Sequence, residues 1–120
     1  MKTASIVAVL AALSFCPPAA AGQEWYEGGT LHSKTVAKWS KAPARDKLAT
    51  AADFVTKAWK AGLLKDFIAN GIKTMDDVKP LAQRLADEID LYYAQGKLAG
   101  GVDVTTAAAT VMDRRWTKPR

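Results

Sequence analysis

Side chains able to do chemistry are few in this chain of 120 residues. The single histidine, His32, precedes Ser33, a pairing that in an acyl-transfer site supplies base and nucleophile. Such a serine needs its hydroxyl within hydrogen-bond reach of the imidazole, and a carboxylate to orient the ring. Neither a nucleophile-elbow pattern nor an orienting carboxylate at a known spacing accompanies the pair, so His32 reads as an arm or capping residue. Asp87, Glu88 and Asp90 are the second candidate, since clustered carboxylates serve acid–base chemistry or bind a hard cation. Arg84 lies three and four residues before Asp87 and Glu88 and shares their helical face. Surface ion pairing accounts for that cluster, and no oxygen-rich loop of the calcium type is attached to it.

The glycine pairs Gly28-Gly29 and Gly100-Gly101 lack the strand, helix and lysine that make a phosphate-cradling loop, and they read as turns. With one histidine and one cysteine, Cys16, the chain cannot assemble the three or four nitrogen and sulfur ligands of a zinc site. No catalytic residue, no metal and no cofactor is expected, and the chain does not read as an enzyme.

The first 22 residues have the anatomy of a secretory signal: Lys2, an uncharged run from Thr3 to Phe15, and the small residues Ala19, Ala20, Ala21 and Gly22. The apolar run falls short of the roughly 20 residues that span a bilayer, and Pro17-Pro18 stops it. Cleavage is expected near Ala21 or Gly22, giving a periplasmic or secreted protein. Leu13-Ser14-Phe15-Cys16 superficially resembles a lipoprotein box, but Phe15 is large where such boxes carry a small residue. Without Cys16 the exported chain has no disulfide to use, although its compartment would permit one.

The expected signal contains only Lys2 among the charges, so sixteen of the seventeen basic residues remain against twelve acidic ones. That modest surplus suits an anionic membrane face, a cell-wall polymer or an acidic protein, and salt would weaken the attraction. Nucleic acid is not expected as a partner, because the chain is exported and carries no binding motif.

Residues 23–32 read as an irregular aromatic and glycine-rich arm, and 33–120 as a single helical domain. Ser33 is expected to cap a short helix reaching about Ala42, with Val36 and Trp39 inward. The strongest amphipathic pattern, Leu48, Ala51, Ala52, Val55 and Trp59, predicts a helix from about Ala44 to Ala61. Asp53 and Lys57 stand four apart on its outer side and are expected to pair for about 0.3 kcal/mol. Beyond Gly62, Leu63, Leu64, Phe67, Ile68 and Ile72 form either a separate short helix or a bent continuation, closed at Asn70-Gly71. Thr74 and Asp77 resemble a capping box for a helix from Met75 to Gly96 that buries Val78, Leu81, Ala82, Leu85, Ile89 and Tyr92. Pro80 cannot donate to the Asp76 carbonyl, so the main helix either begins at Pro80 or is kinked there. Asp103 is expected to cap a last helix carrying Val104, Ala107, Ala108, Val111, Met112 and Trp116 on one side.

No segment alternates apolar and polar residues as a half-buried strand does, so the expected fold is all-α, a small bundle of four to five short helices. About 20 core side chains at roughly 1.5–3 kcal/mol each are near the margin for this size, and a homodimer would add burial. Trp39 and Trp59 read as core. Trp25, Tyr26 and Trp116, with Arg114 and Arg115 beside the last, are the expected exposed contacts for a protein partner. The functional expectation is an exported, non-catalytic interaction protein of a cell-envelope or secretion assembly. A periplasmic acid chaperone and an immunity or inhibitor protein against an exported toxin are the alternatives.

Overall fold

The computed structural model describes residues 24–119. The expected signal segment, its cleavage site near Ala21 or Gly22, Cys16 and Arg120 lie outside the described residues. Within them the chain forms five helices: α1 (Val36–Ser40), α2 (Ala44–Lys60), α3 (Asp66–Ala69), α4 (Met75–Ala94) and α5 (Val104–Met112). No strand forms among the described residues, and extended pairing is limited to isolated antiparallel bridges, Thr35 with Asp103 and Leu64 with Thr117. The helical class is as expected. Two of the helices are not short, α2 having 17 residues and α4 having 20.

Helix α2 begins directly after Pro43 and ends at Ala61, where Gly62 takes a φ of +72° that a side chain would resist. Its inward positions Ala51, Ala52, Val55 and Ala58 pack chiefly against α4, and their small side chains let the two long helices approach closely. Helix α4 opens with the expected capping box: the Asp77 carboxylate accepts the Thr74 N–H at 3.0 Å and the Lys73 N–H at 2.8 Å. Those two amides, in that order the stronger from Lys73, hold the Asp77 carboxyl below the usual carboxylate range.

Helix α4 runs without a break through Pro80, so the main helix does not start there. The carbonyl of Asp76 loses its helical donor, and because Asp76 and Pro80 are both exposed, water can replace it. Helix α4 ends at Ala94 with Gln95 as its cap, and Gly96 follows at a φ of +74°.

Ser33 is not the cap of α1. Thr35 takes that role through its hydroxyl, which accepts the Lys38 N–H at 3.3 Å, because residues 32–37 are drawn into backbone pairing with 100–105. The Val36 N–H donates to Val102, the Ala37 N–H to Gly100, the Val104 N–H to Lys34 and the Thr105 N–H to His32. Asp103 caps α5 as expected, accepting from both the N–H and the hydroxyl of Thr106. The Thr106 hydroxyl, then its amide, lowers the Asp103 carboxyl from its ordinary value.

Helix α5 ends at Met112, four residues before Trp116. Arg114, at a φ of +65°, reverses the chain so that Trp116 drops into the core instead of extending the helix. One buried cluster unites Leu31 of the arm, Trp39 of α1, the inner faces of α2, α4 and α5, and Trp116. Trp39 is fully buried, whereas Trp59 only leans on the core. No described helix is long and apolar enough to cross a membrane.

Candidate functional site

The arm is gripped by one face of α2. Asp46, Thr50 and Asp53 recur at helical spacing and take three successive arm residues. Asp46 accepts the Thr30 N–H at 2.8 Å and its hydroxyl at 2.6 Å, Thr50 accepts the Leu31 N–H at 3.3 Å, and Asp53 lies 2.8 Å from the His32 Nε2. Gly29 makes this approach possible, since a Cβ there would sit 2.6 Å from the Thr50 amide nitrogen. His32 also packs edge-on against Phe54. Of the His32–Ser33 pair, the imidazole Nε2 is thus turned to Asp53. Asp53 is therefore the partner of His32 and not of Lys57, contrary to the spacing argument.

Further out, Trp25 and Tyr26 are half-buried and meet edge to face, with ring centroids 5.4 Å apart. The Lys79 ammonium of α4 stands 5.6 Å from the Trp25 ring centroid. These aromatics cover the core and keep one side accessible.

The acidic cluster of α4 disperses into three separate structural roles. Asp87 accepts from Gln83 at 3.0 Å, an ordinary surface contact. Asp90 takes the Trp39 indole N–H at 2.9 Å and the Lys47 ammonium at 3.2 Å, tying α4 to α1 and α2. Glu88 receives Arg84 at 3.0 Å, Arg115 at 3.4 Å and the Trp116 indole N–H at 3.2 Å. Its carboxylate thus fixes the carboxyl-terminal tail to α4. The Tyr92 hydroxyl, 3.3 Å from Arg115, and then Glu88 hold that guanidinium above its usual value.

Of the five residues expected to be exposed contacts, Trp116 is a correction. It is 1% exposed, with Arg84 stacked 5.2 Å over its ring, and cannot anchor a partner without unfolding the tail. Arg115 is exposed but committed to Glu88 and Tyr92, while Arg114 is exposed with Asp113 at 4.0 Å. The five do not form one surface: Trp25 and Tyr26 sit by the start of α4, the others by α5 and the tail.

A site that sequence reading missed lies between the end of α2, α5 and the tail. It is a groove of about 660 Å³ with walls from Phe54, Ala58, Ala61 and Leu63 on one side and Ala108, Ala109, Met112 and Pro119 on the other. Its shape follows from the Gly62 turn, which lets the Leu63 N–H return to Ala58, and from the Leu64–Thr117 bridge, where the Lys118 N–H donates to Leu63 at 2.8 Å. Leu63 is held there 50% exposed. Lys118, part of the lining, bonds Asp66 of α3 at 3.0 Å, and Phe67, the next residue of that helix, is 76% exposed. A second, more polar hollow of about 810 Å³ flanks the other side of the tail beside Thr106, Thr110 and Arg114. Among the described residues no three His, Cys, Asp or Glu side chains converge to hold a metal.

An uncovered phenylalanine beside an apolar groove is the feature that folding alone does not require. The sequence signal was present, because Phe67 and Leu63 are large apolar residues in a segment too short to bury both faces. Comparison with known proteins finds no matching family model, no matching curated protein and no matching solved structure.

Proposed function

We propose that this chain is an exported, non-catalytic binding protein that works through the groove and the adjoining Leu63–Phe67 corner. The observation that carries the reading is a groove with apolar walls in which Leu63 is held 50% exposed, with Phe67, four residues further on, 76% exposed. Isolated exposed leucines are common, but a half-exposed leucine lining a concave apolar surface, with an exposed phenylalanine in the short helix that follows, fits a docking site. The polar side chains support the same reading from the other direction. His32, Asp46, Asp53, Glu88 and Asp90 are each engaged in fastening one segment to another. Export rests on the signal-like first 22 residues, and the partner surface shifts from the arm and basic tail to the groove.

The test is cross-linking and affinity purification from the native cell envelope at neutral and acidic pH, comparing the parent with the double variant Leu63→Ser, Phe67→Ser. Both positions are exposed, so stability should change by no more than about 0.5 kcal/mol per site. One dominant stoichiometric partner, lost in the double variant, is the expected result. Capture that survives it but disappears with Trp25→Ala, Tyr26→Ala would move the docking surface to the arm. Many unrelated clients bound only in acid would replace the reading with a chaperone role.

A further inference from the structure

Resting on the groove and the Leu63–Phe67 corner being the binding surface, we infer that the groove itself takes a single-chain amphiphile with one negative charge, of the fatty-acid class, and leaves the exposed Leu63 and Phe67 to the protein partner. The walls bear on this first. Phe54, Ala58, Ala61, Leu63, Ala109 and Met112 carry no hydrogen-bonding side chain. The two threonines of the lining are already engaged, Thr105 donating to the His32 carbonyl at 2.8 Å and Thr117 to the Met112 carbonyl at 3.5 Å. An extended peptide laid there would bring amide groups that the walls leave unpaired, a cost that a polymethylene chain does not carry. The volume of about 660 Å³ falls within the roughly 300–1,000 Å³ of sites that enclose small ligands.

Charge decides the head group. The lining holds three charged side chains, and two of them have counter-ions: Lys118 has Asp66 at 3.0 Å and Asp113 has Arg114 at 4.0 Å. Lys57 has no carboxylate within 4 Å among the described residues, and its expected partner Asp53 turns one oxygen to His32. One ammonium at the groove without a counter-ion matches one carboxylate at the end of one chain.

The experiment is titration calorimetry at pH 8 on the protein as it accumulates in the expressing cell, stripped of lipid by solvent extraction. Laurate below its micelle concentration is the probe, and dodecyltrimethylammonium is the same chain with the opposite charge. Laurate should bind one per chain, at least tenfold tighter than the cation. Removing two methylenes should weaken it roughly tenfold, as burial of the chain requires. Ala61→Trp, at an exposed lining position, should abolish binding, and Lys57→Glu, on the surface, should weaken laurate about tenfold and favour the cation. The inference is overturned by the absence of saturable laurate binding, by equal affinity for the cation, or by binding indifferent to both variants. Anionic phosphatidylglycerol vesicles that bind as well to the Ala61→Trp variant would likewise overturn it in favour of a membrane surface. If laurate fails while Leu63→Ser, Phe67→Ser still loses its protein partner, the inference falls and the docking function stands.

Discussion

Replacing Gly29 by alanine tests whether the arm is held by close backbone approach. The new Cβ would meet the Thr50 amide nitrogen at 2.6 Å and its Cα and Oγ1 at 2.8 Å each, against a favourable separation of about 3.5–4.0 Å between carbons. Two of those three atoms belong to the backbone of α2 and cannot swing aside, so the arm must lift by about 1 Å. That displacement opens the two Thr30–Asp46 bonds and the Leu31–Thr50 bond, which are 2.8, 2.6 and 3.3 Å long. Overpacking of this type costs about 1–3 kcal/mol, and each loosened bond adds about 1 kcal/mol. With three bonds opened, a loss of about 4–6 kcal/mol is expected, lowering the melting temperature by roughly 15 °C or more. Circular dichroism would follow unfolding while hydrogen exchange reads the amides of residues 29–36. The sign is what decides. Gly29 lies outside the left-handed region, where a glycine-to-alanine change normally stabilises by about 0.4–1 kcal/mol. Gly101 also lies outside it and has nothing within 4 Å of a new Cβ, so Gly101→Ala is the control expected to stabilise. Should Gly29→Ala be as stable as that control, with Leu31 still protected, the close-approach argument is wrong.

Glu88→Ala strands the Trp116 indole N–H in the core and removes the partner of two guanidinium groups, so urea unfolding should show a loss of about 2–3 kcal/mol, and Glu88→Gln a smaller one. Asp103→Asn should leave stability at neutral pH nearly unchanged, since asparagine caps helices as well as aspartate. It should flatten the acid limb, however. The folded-state carboxyl of Asp103 is lowered, so its contribution is full above the ordinary value of about 3.9 and is lost as pH falls from there through the lowered folded value; unfolding midpoints from pH 6 to pH 2 check this. Pro80→Ala restores a donor for the Asp76 carbonyl inside α4 and should raise stability by at least about 1 kcal/mol in the same assay.

The long helices were legible because their signals are local. Apolar residues at helical spacing marked α2 and α4, and the Thr74–Asp77 box fixed where α4 begins. Pro80 misled the boundary because the cost of one missing donor was weighed without the burial of Val78 and Ala82 on either side of it. The carboxyl-terminal end failed for a different reason. Trp116 continues the apolar stripe of α5, and only the positive φ of Arg114 takes it off the helix and into the core, where Glu88 receives its N–H. Nothing in the spacing of residues 88 and 116 announces that bond. The same holds for the arm: Asp53 and Lys57 satisfy the local pairing rule, but His32, 21 residues earlier, reaches Asp53 first. The groove escaped notice because it is made by absence of bulk at Ala58, Ala61, Gly62 and Ala109, residues that read as ordinary helix formers or a turn.

The seam between residues 32–37 and 100–105 also bears on how the chain comes to be folded. The Thr105 hydroxyl and the His32 carbonyl it meets are 73 residues apart, a gap that translation at 5–20 residues per second takes roughly 4–15 s to close. Helical proteins are usually fast folders because their contacts are near in sequence, but here the partners of the early backbone arrive last. A nascent chain can wind α2 and α4 and pack them together while the backbone groups of α1 still face water. Its slowest native amides to gain protection should therefore be those of Val36 and Ala37, together with Val104 and Thr105, appearing in one concerted step.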